Sequence, residues 1–273
     1  MKTLIDGHVH LYDNHEAKNL VDAAAGAFSR EGERLGIESA ARVGCMVVVD
    51  PSGVDGFERL ERLGAPGWEH TPGGSCALEV VRESDGLALW VVAGRQIRTD
   101  NGLEVLAYGV RRPFEDGGRL PDQVEKVLES GAVPVIPWGF GKWLGRRGRD
   151  VEVLLRSSLG RHVVLADSLT RPAVAPEPRA FRVARAQAIP VIAGTDPLPF
   201  RGQERKAGKY GFVLELGEDP EGPAAGLGKA LGALRESPTL FGRREGLISA
   251  LRLQVAMQLR GVGGRAGHAE PGR

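Results

Sequence analysis

The sequence predicts an α/β fold, a distorted TIM-like (β/α)7 barrel with helices at its C-terminal end. Three observations predict it. Short apolar runs alternate with helix-patterned stretches along most of the chain. The 273 residues match an α/β barrel, which needs about 250 residues as one unit. Polar residues also gather where the strand-like runs end, at His8, His10, Asp50, Asp167 and Asp196. An open doubly wound sheet is the competing architecture. It would carry G-x-G-x-x-G after the first strand, where this chain has Asp6-Gly7-His8.

Taken in order, residues 3–9 read as a strand and 15–35 as an Ala- and Glu-rich helix. A strand follows at 43–49, closed by Asp50-Pro51-Ser52-Gly53, and a short helix at 56–63. The runs at 76–81, 87–93 and 103–110 are separated by Ser84-Asp85-Gly86 and Thr99-Asp100-Asn101-Gly102, which predicts consecutive strands. Pro121 opens a helix to residue 130, and 133–136 is a strand ending in Pro137-Trp138-Gly139. Helices at 151–159 and 178–187 then alternate with strands at 163–166 and 189–193, the last closed by Gly194-Thr195-Asp196-Pro197. A strand at 212–216 and helices at 224–234 and 243–259 complete a barrel domain expected over 1–260. The polar, Gly-rich stretch 261–273 is expected to be a flexible tail.

Composition narrows the function. With 36 Lys+Arg against 35 Asp+Glu the formal charge is +1, which argues against a nucleic-acid partner, since phosphate binding calls for a basic surplus. The longest strongly apolar run, 87–93, is far short of the ~18 residues of a membrane helix, so no membrane partner is expected. The N-terminus reaches Asp6 and His8 too soon for a signal peptide. Cys45 and Cys76 sit in apolar contexts that suit reduced thiols, and a cytoplasmic location is expected. Oligomeric state is left open.

The chemistry is expected at the C-terminal ends of the strands. His8 and His10 are two apart, so on a strand both imidazoles face one side and can reach one cation at ~2.0–2.1 Å. Asp196 completes a facial set, with Glu104 as a further ligand. Such a set suits one divalent ion, Zn, Fe or Mn. Asp196 and Asp167 are the expected proton acceptors; Asp167 and Asp50 equally suit helix capping. The run Gly139-Phe140-Gly141-Lys142-Trp143-Leu144-Gly145-Arg146-Arg147-Gly148-Arg149 reads as a basic loop. There Lys142, Arg146 and Arg147, with Gln96 and Trp138, would bind an anionic small-molecule substrate.

Asp6-Gly7-His8-Val9-His10 is similar to the opening His-x-His of the PHP family, named for polymerase-associated and histidinol-phosphatase members. The segments that follow extend this resemblance over about residues 3–215. It implies a distorted barrel holding several metal ions and hydrolysing phosphoesters. Met46-Val47-Val48-Val49-Asp50-Pro51 resembles the family's Thr-Asp-His segment, with Pro51 at the histidine. Gly94-Arg95-Gln96-Ile97 resembles its Gly-x-Glu strand, with Gln96 in place of a bridging carboxylate, and Glu104 stands at the next histidine. Ile136 and Leu198 occupy two further histidine positions, while Asp196 keeps the aspartate. A neutral amide, a proline and two aliphatic side chains cannot hold the same ions, so one ion is expected.

His-x-His with a late Gly-Thr-Asp-Pro also resembles the amidohydrolase superfamily, which implies a mononuclear C–N bond hydrolase. The expected function is therefore a metal-dependent hydrolase acting on a phosphoester or other anionic substrate. The alternative is an inactive barrel that binds a small anion or a protein.

Overall fold

A computed structural model describes residues 1–37, 42–217 and 219–247, together with 252, 253 and 256. The chain opens with β1 (Lys2–Val9), α1 (Ala17–Leu35), β2 (Arg42–Asp50) and α2 (Gly56–Leu63). Next come β3 (Trp68–Pro72), β4 (Ala77–Arg82), β5 (Ala88–Arg98) and β6 (Glu104–Tyr108). The remainder is α3 (Leu120–Glu129), β7 (Val133–Pro137), α4 (Gly145–Arg156), β8 (Val164–Ser168), α5 (Arg179–Ala186), β9 (Val191–Gly194), β10 (Tyr210–Glu215), α6 (Pro223–Ala233) and β11 (Leu240–Gly242). The amphipathic pattern explains α1: Leu20, Val21, Ala24, Ala25 and Phe28 share its buried face, and Gly36 ends it in the left-handed conformation.

One sheet runs in the order β11-β10-β1-β2-β5-β6-β7-β8-β9 and curls into a nearly closed barrel. Its interior is filled from successive strands by Ile5, Val47, Val92, Leu106, Ala166 and Phe212. Outside it, one apolar layer joins β1 and β2 to α1 and α2, and a second joins β6 to β9 with α3, α4 and α5. No helix among the described residues is long and apolar enough to cross a membrane.

The (β/α)7 expectation is corrected in two respects: nine strands lie on the barrel path, and they are mixed in direction. β6 runs antiparallel to both of its neighbours, β5 and β7; for β5 and β6 the cause is the tight turn at 99–102, too short for a crossover helix, while β7 follows β6 after α3. β4 lies antiparallel on the first half of β5, and β3 on β4. β3 and β11 are additions to the predicted elements. The helix expected at 151–159 instead starts at Gly145, so Arg146, Arg147 and Arg149 ride on its first turns and not on a loop. Most of the helix predicted at 243–259, and all of 261–273, lies outside the described residues.

Closure occurs at β1. β10 pairs only with its first half, Lys2 to Ile5, whereas β2 follows it to Val9. The second half is met by the chain leaving β9, where the Asp196 amide donates to the His8 carbonyl at 2.7 Å. Gly194 makes this approach possible, because a Cβ there would strike the His8 backbone.

Candidate metal centre

His8 and His10 face the barrel mouth because β1 slips register against β2 between Asp6 and Val9. Ile5 belongs to the barrel interior and Val9 to the outer layer, although strict alternation would put both on one side. The irregularity reverses the alternation, as strand bulges beside functional sites do, and turns His8 and His10 inward.

Their Nε2 atoms stand 2.9 Å apart, and Asp196 Oδ1 lies 3.7 Å from that of His8 and 3.5 Å from that of His10. These are the only three such groups among the described residues whose ligand atoms lie within 4.8 Å of one another. His10 Nδ1 donates to the Val49 carbonyl at 2.7 Å, which leaves its Nε2 as the lone-pair nitrogen when the ring is neutral. His8 Nδ1 is buried without a partner. Burial pushes the His8 imidazole down to about 4, so the ring is neutral at pH 7. Burial also works against the charge of Asp196. The imidazoles of His8 and His10 and the Lys142 ammonium outweigh it and hold the carboxyl well below the usual range.

The donor set fits a divalent ion: two nitrogens each ~2.0–2.1 Å from one cation, at angles of roughly 90–110°, stand about 2.9–3.4 Å apart. Asp196 adopts left-handed backbone with φ 50°, a conformation Asp tolerates better than most residues.

Asp6 organises the site, a role its place in Asp6-Gly7-His8 did not disclose. Its buried carboxylate accepts from Thr195 Oγ1 at 2.6 Å, Thr195 N and Gly208 N at 2.9 Å, and His8 N at 3.2 Å. Burial raises its pKa to about 6, opposed by those hydrogen bonds. The Tyr108 hydroxyl donates to the Gly7 carbonyl beside it. His15, expected to open the first helix, lies just ahead of α1 and is buried. It braces the mouth through contacts to the carbonyls of His10 at 3.3 Å and of Leu198 and Phe200 at 3.1 Å.

The other expected site residues divide. Glu104 stands outside the three-residue cluster; its carboxylate is held by Lys142 and by Gln96 Nε2 at 3.3 Å. Lys142, Gln96, Glu104 and Arg147 line a polar cavity of about 630 Å³, together with Arg98. Trp138 lines a separate cavity, and Arg146 is exposed on α4. Asp167 is fully engaged: Arg171 Nε and Nη2 donate to it at 2.6 Å, the Ser168 amide at 2.9 Å and the Tyr210 hydroxyl at 3.0 Å. It has no lone pair free to accept a proton. Asp50 caps α2, accepting from the Phe57 amide at 2.9 Å. Pro51 borders the polar cavity, and Ile136 is buried in the outer apolar layer.

No family model and no curated protein sequence matches the chain. Solved structures do match its fold. PsfC from Pseudomonas syringae PB-5123 is 16% identical, with 95% of this chain and 97% of that chain covered and a TM-score of 0.54. The lesion-specific endonuclease PfuEndoQ from Pyrococcus furiosus is 11% identical at a TM-score of 0.50, with 85% of this chain and 56% of that chain covered. A complex of endonuclease Q with a 27-mer duplex substrate, an abasic lesion at its active site, is 12% identical, with the same coverage and a TM-score of 0.49. The chain thus spans about half the length of the endonuclease chains.

At these identities the likeness is one of fold. Fold and site together define an α/β barrel with a His/His/Asp cluster able to hold a metal ion. The exclusion of a nucleic-acid partner is corrected, because a lesion-specific endonuclease is among the proteins that share this fold. A formal charge averaged over the chain is silent about local placement; the polar cavity itself sets Arg98, Lys142 and Arg147 among Asp100, Glu104 and Asp116.

Proposed function

We propose that this chain is a metal-dependent hydrolase in which His8, His10 and Asp196 hold one divalent ion, Zn, Fe or Mn, and that its substrate is a phosphoester or related anion. The convergence of two imidazole Nε2 atoms and a carboxylate oxygen carries the reading. When bound, such an ion supplies Lewis acidity and eases deprotonation of water.

The chain's own groups divide the remaining work. Lys142 and Arg147 bind the anion in the polar cavity, and Lys142 is held in place by Glu104. Asp6 fixes the backbone of His8 and Thr195, and so the spacing of the donors. Asp196 keeps its second oxygen, Oδ2, which among the described residues is hydrogen-bonded by the Ser168 hydroxyl alone at 3.5 Å, for a proton from water. A carboxyl held well below its usual range is ionised at neutral pH, as a ligand to a divalent ion must be. Asp167 takes no part in proton transfer.

Elemental analysis of protein purified without added metal tests the proposal. The expected result is about one transition-metal ion per chain, lost in His8→Ala together with turnover of a chromogenic aryl phosphate. Trace metal only, in protein whose circular dichroism shows an intact fold, overturns it. The replacements Pro51, Gln96, Ile136 and Leu198 favour a second reading, a barrel without catalysis that binds a small anion or a protein. Under that reading His8→Ala leaves anion affinity unchanged.

A further inference from the structure

Trp138 and Lys142 are four residues apart, yet they line different cavities with no residue in common. The Trp138 cavity, about 490 Å³, lies between two successive strand-to-helix connections: β7 to α4 and β8 to α5. Its size falls within the ~300–1,000 Å³ of small-ligand sites. Much of its wall is flat and apolar, contributed by Trp138, Trp143, Pro176 and Pro178. Gly148 is required for this wall, since a Cβ there would strike the Trp143 carbonyl.

One polar group in the wall is rigidly placed. Arg171 is only 6% exposed, and Asp167 grips its Nε and Nη2 edge. Its Nη1 makes no hydrogen bond among the described residues, the residue lines the cavity, and the guanidinium lies over the Phe181 ring at 5.6 Å. The guanidinium is therefore preorganised with one pair of donors uncommitted. Arg149 adds positive charge without an acidic partner among the described residues, whereas the cavity's two glutamates are matched. Glu152 pairs with Arg156 at 3.7 Å and Arg179 at 3.6 Å, and Glu177 with Arg185 at 2.5 Å. The first turn of the 12-residue helix α4 also borders the cavity, with no acidic residue and no side-chain cap.

We infer that this cavity is a second ligand site, separate from the metal centre, that takes a planar apolar ring bearing an anionic group: the ring against Trp138 and Trp143, the anion on Arg171 Nη1 and Arg149. The inference is independent of whether the histidines bind metal.

Calorimetric titration with phenylphosphonate, which has no ester bond to hydrolyse, tests it on the full chain. Methylphosphonate retains the anion without the ring, and phenol the ring without the anion. Saturable phenylphosphonate binding is expected, with each fragment roughly 10-fold weaker or worse. Arg149→Ala, an exposed position that leaves the fold intact, and Trp138→Ala are each expected to weaken binding by about 10-fold or more. Trp138→Phe, which keeps an aromatic wall, is expected to retain most of the affinity. His8→Ala is expected to leave it unchanged. The proposal is overturned by absence of saturable binding, by methylphosphonate binding as tightly as phenylphosphonate, or by binding lost in His8→Ala and retained in Arg149→Ala. That last result would place the ligand at the metal centre.

Discussion

Asp167 and Asp196 leave neighbouring strands of one sheet; Ser168, next to the first, pairs with Gly194, two residues before the second. The first is closed off by four hydrogen bonds, two of them from one guanidinium. The second faces two imidazoles and keeps an oxygen almost unengaged. Position at the end of a barrel strand thus does not assign a role to a carboxylate; its partners do. A guanidinium is always charged and consumes the carboxylate in a fork, whereas a neutral imidazole leaves room for a cation. Asp50, at the end of β2, illustrates a third outcome, capping a helix.

The comparison breaks most easily at Asp167. Asp167→Ala leaves Arg171 charged, buried and unpaired, with an expected cost of about 3–5 kcal/mol in urea unfolding. If Asp196→Ala in metal-free protein costs as much, the two carboxylates are not distinguished as argued.

Asp50 gives the next effect, read against pH. Burial raises its carboxyl from 3.8 to about 6 in the folded protein, so between those values the folded state binds more protons than the unfolded. Its contribution is therefore most favourable below about pH 4 and is lost as pH rises through about 6, a change of roughly 3 kcal/mol. Unfolding free energies of wild type and Asp50→Asn, compared from pH 4 to 7, are expected to diverge in that direction.

Tyr210→Phe removes one hydrogen bond to Asp167, with an expected cost of about 1.5–3 kcal/mol in the same unfolding measurement. The smallest effect belongs to Arg146→Ala. It should alter stability by less than about 0.5 kcal/mol, because the side chain is exposed and lines neither cavity. Phosphate affinity should also be unchanged in that variant, whereas Lys142→Ala should weaken it.

The cluster of His8, His10 and Asp196 was legible because it rests on local signals: two histidines two apart and an aspartate after a late strand. The alternation of elements was legible for the same reason, since each is set by its own periodicity. The mixed strand directions were not, although the turns that impose them could be seen. The basic segment misled because its glycines read as loop. Gly145 and Gly148 in fact lie inside α4, where Gly148 permits a close backbone contact. That helical start exposes Arg146. The engagement of Asp167 by Arg171 depends on the turn that brings them together, and a neighbouring cation in sequence does not reveal such a turn.

The incomplete pairing along β1 has a mechanical consequence. His8 and His10 belong to one bank of that gap and Asp196 to the other, so a cation gripped by all three would act as a clasp across it. Loading the protein would then toughen the barrel against heat as well as equip it for chemistry, and the rim would breathe most freely when stripped.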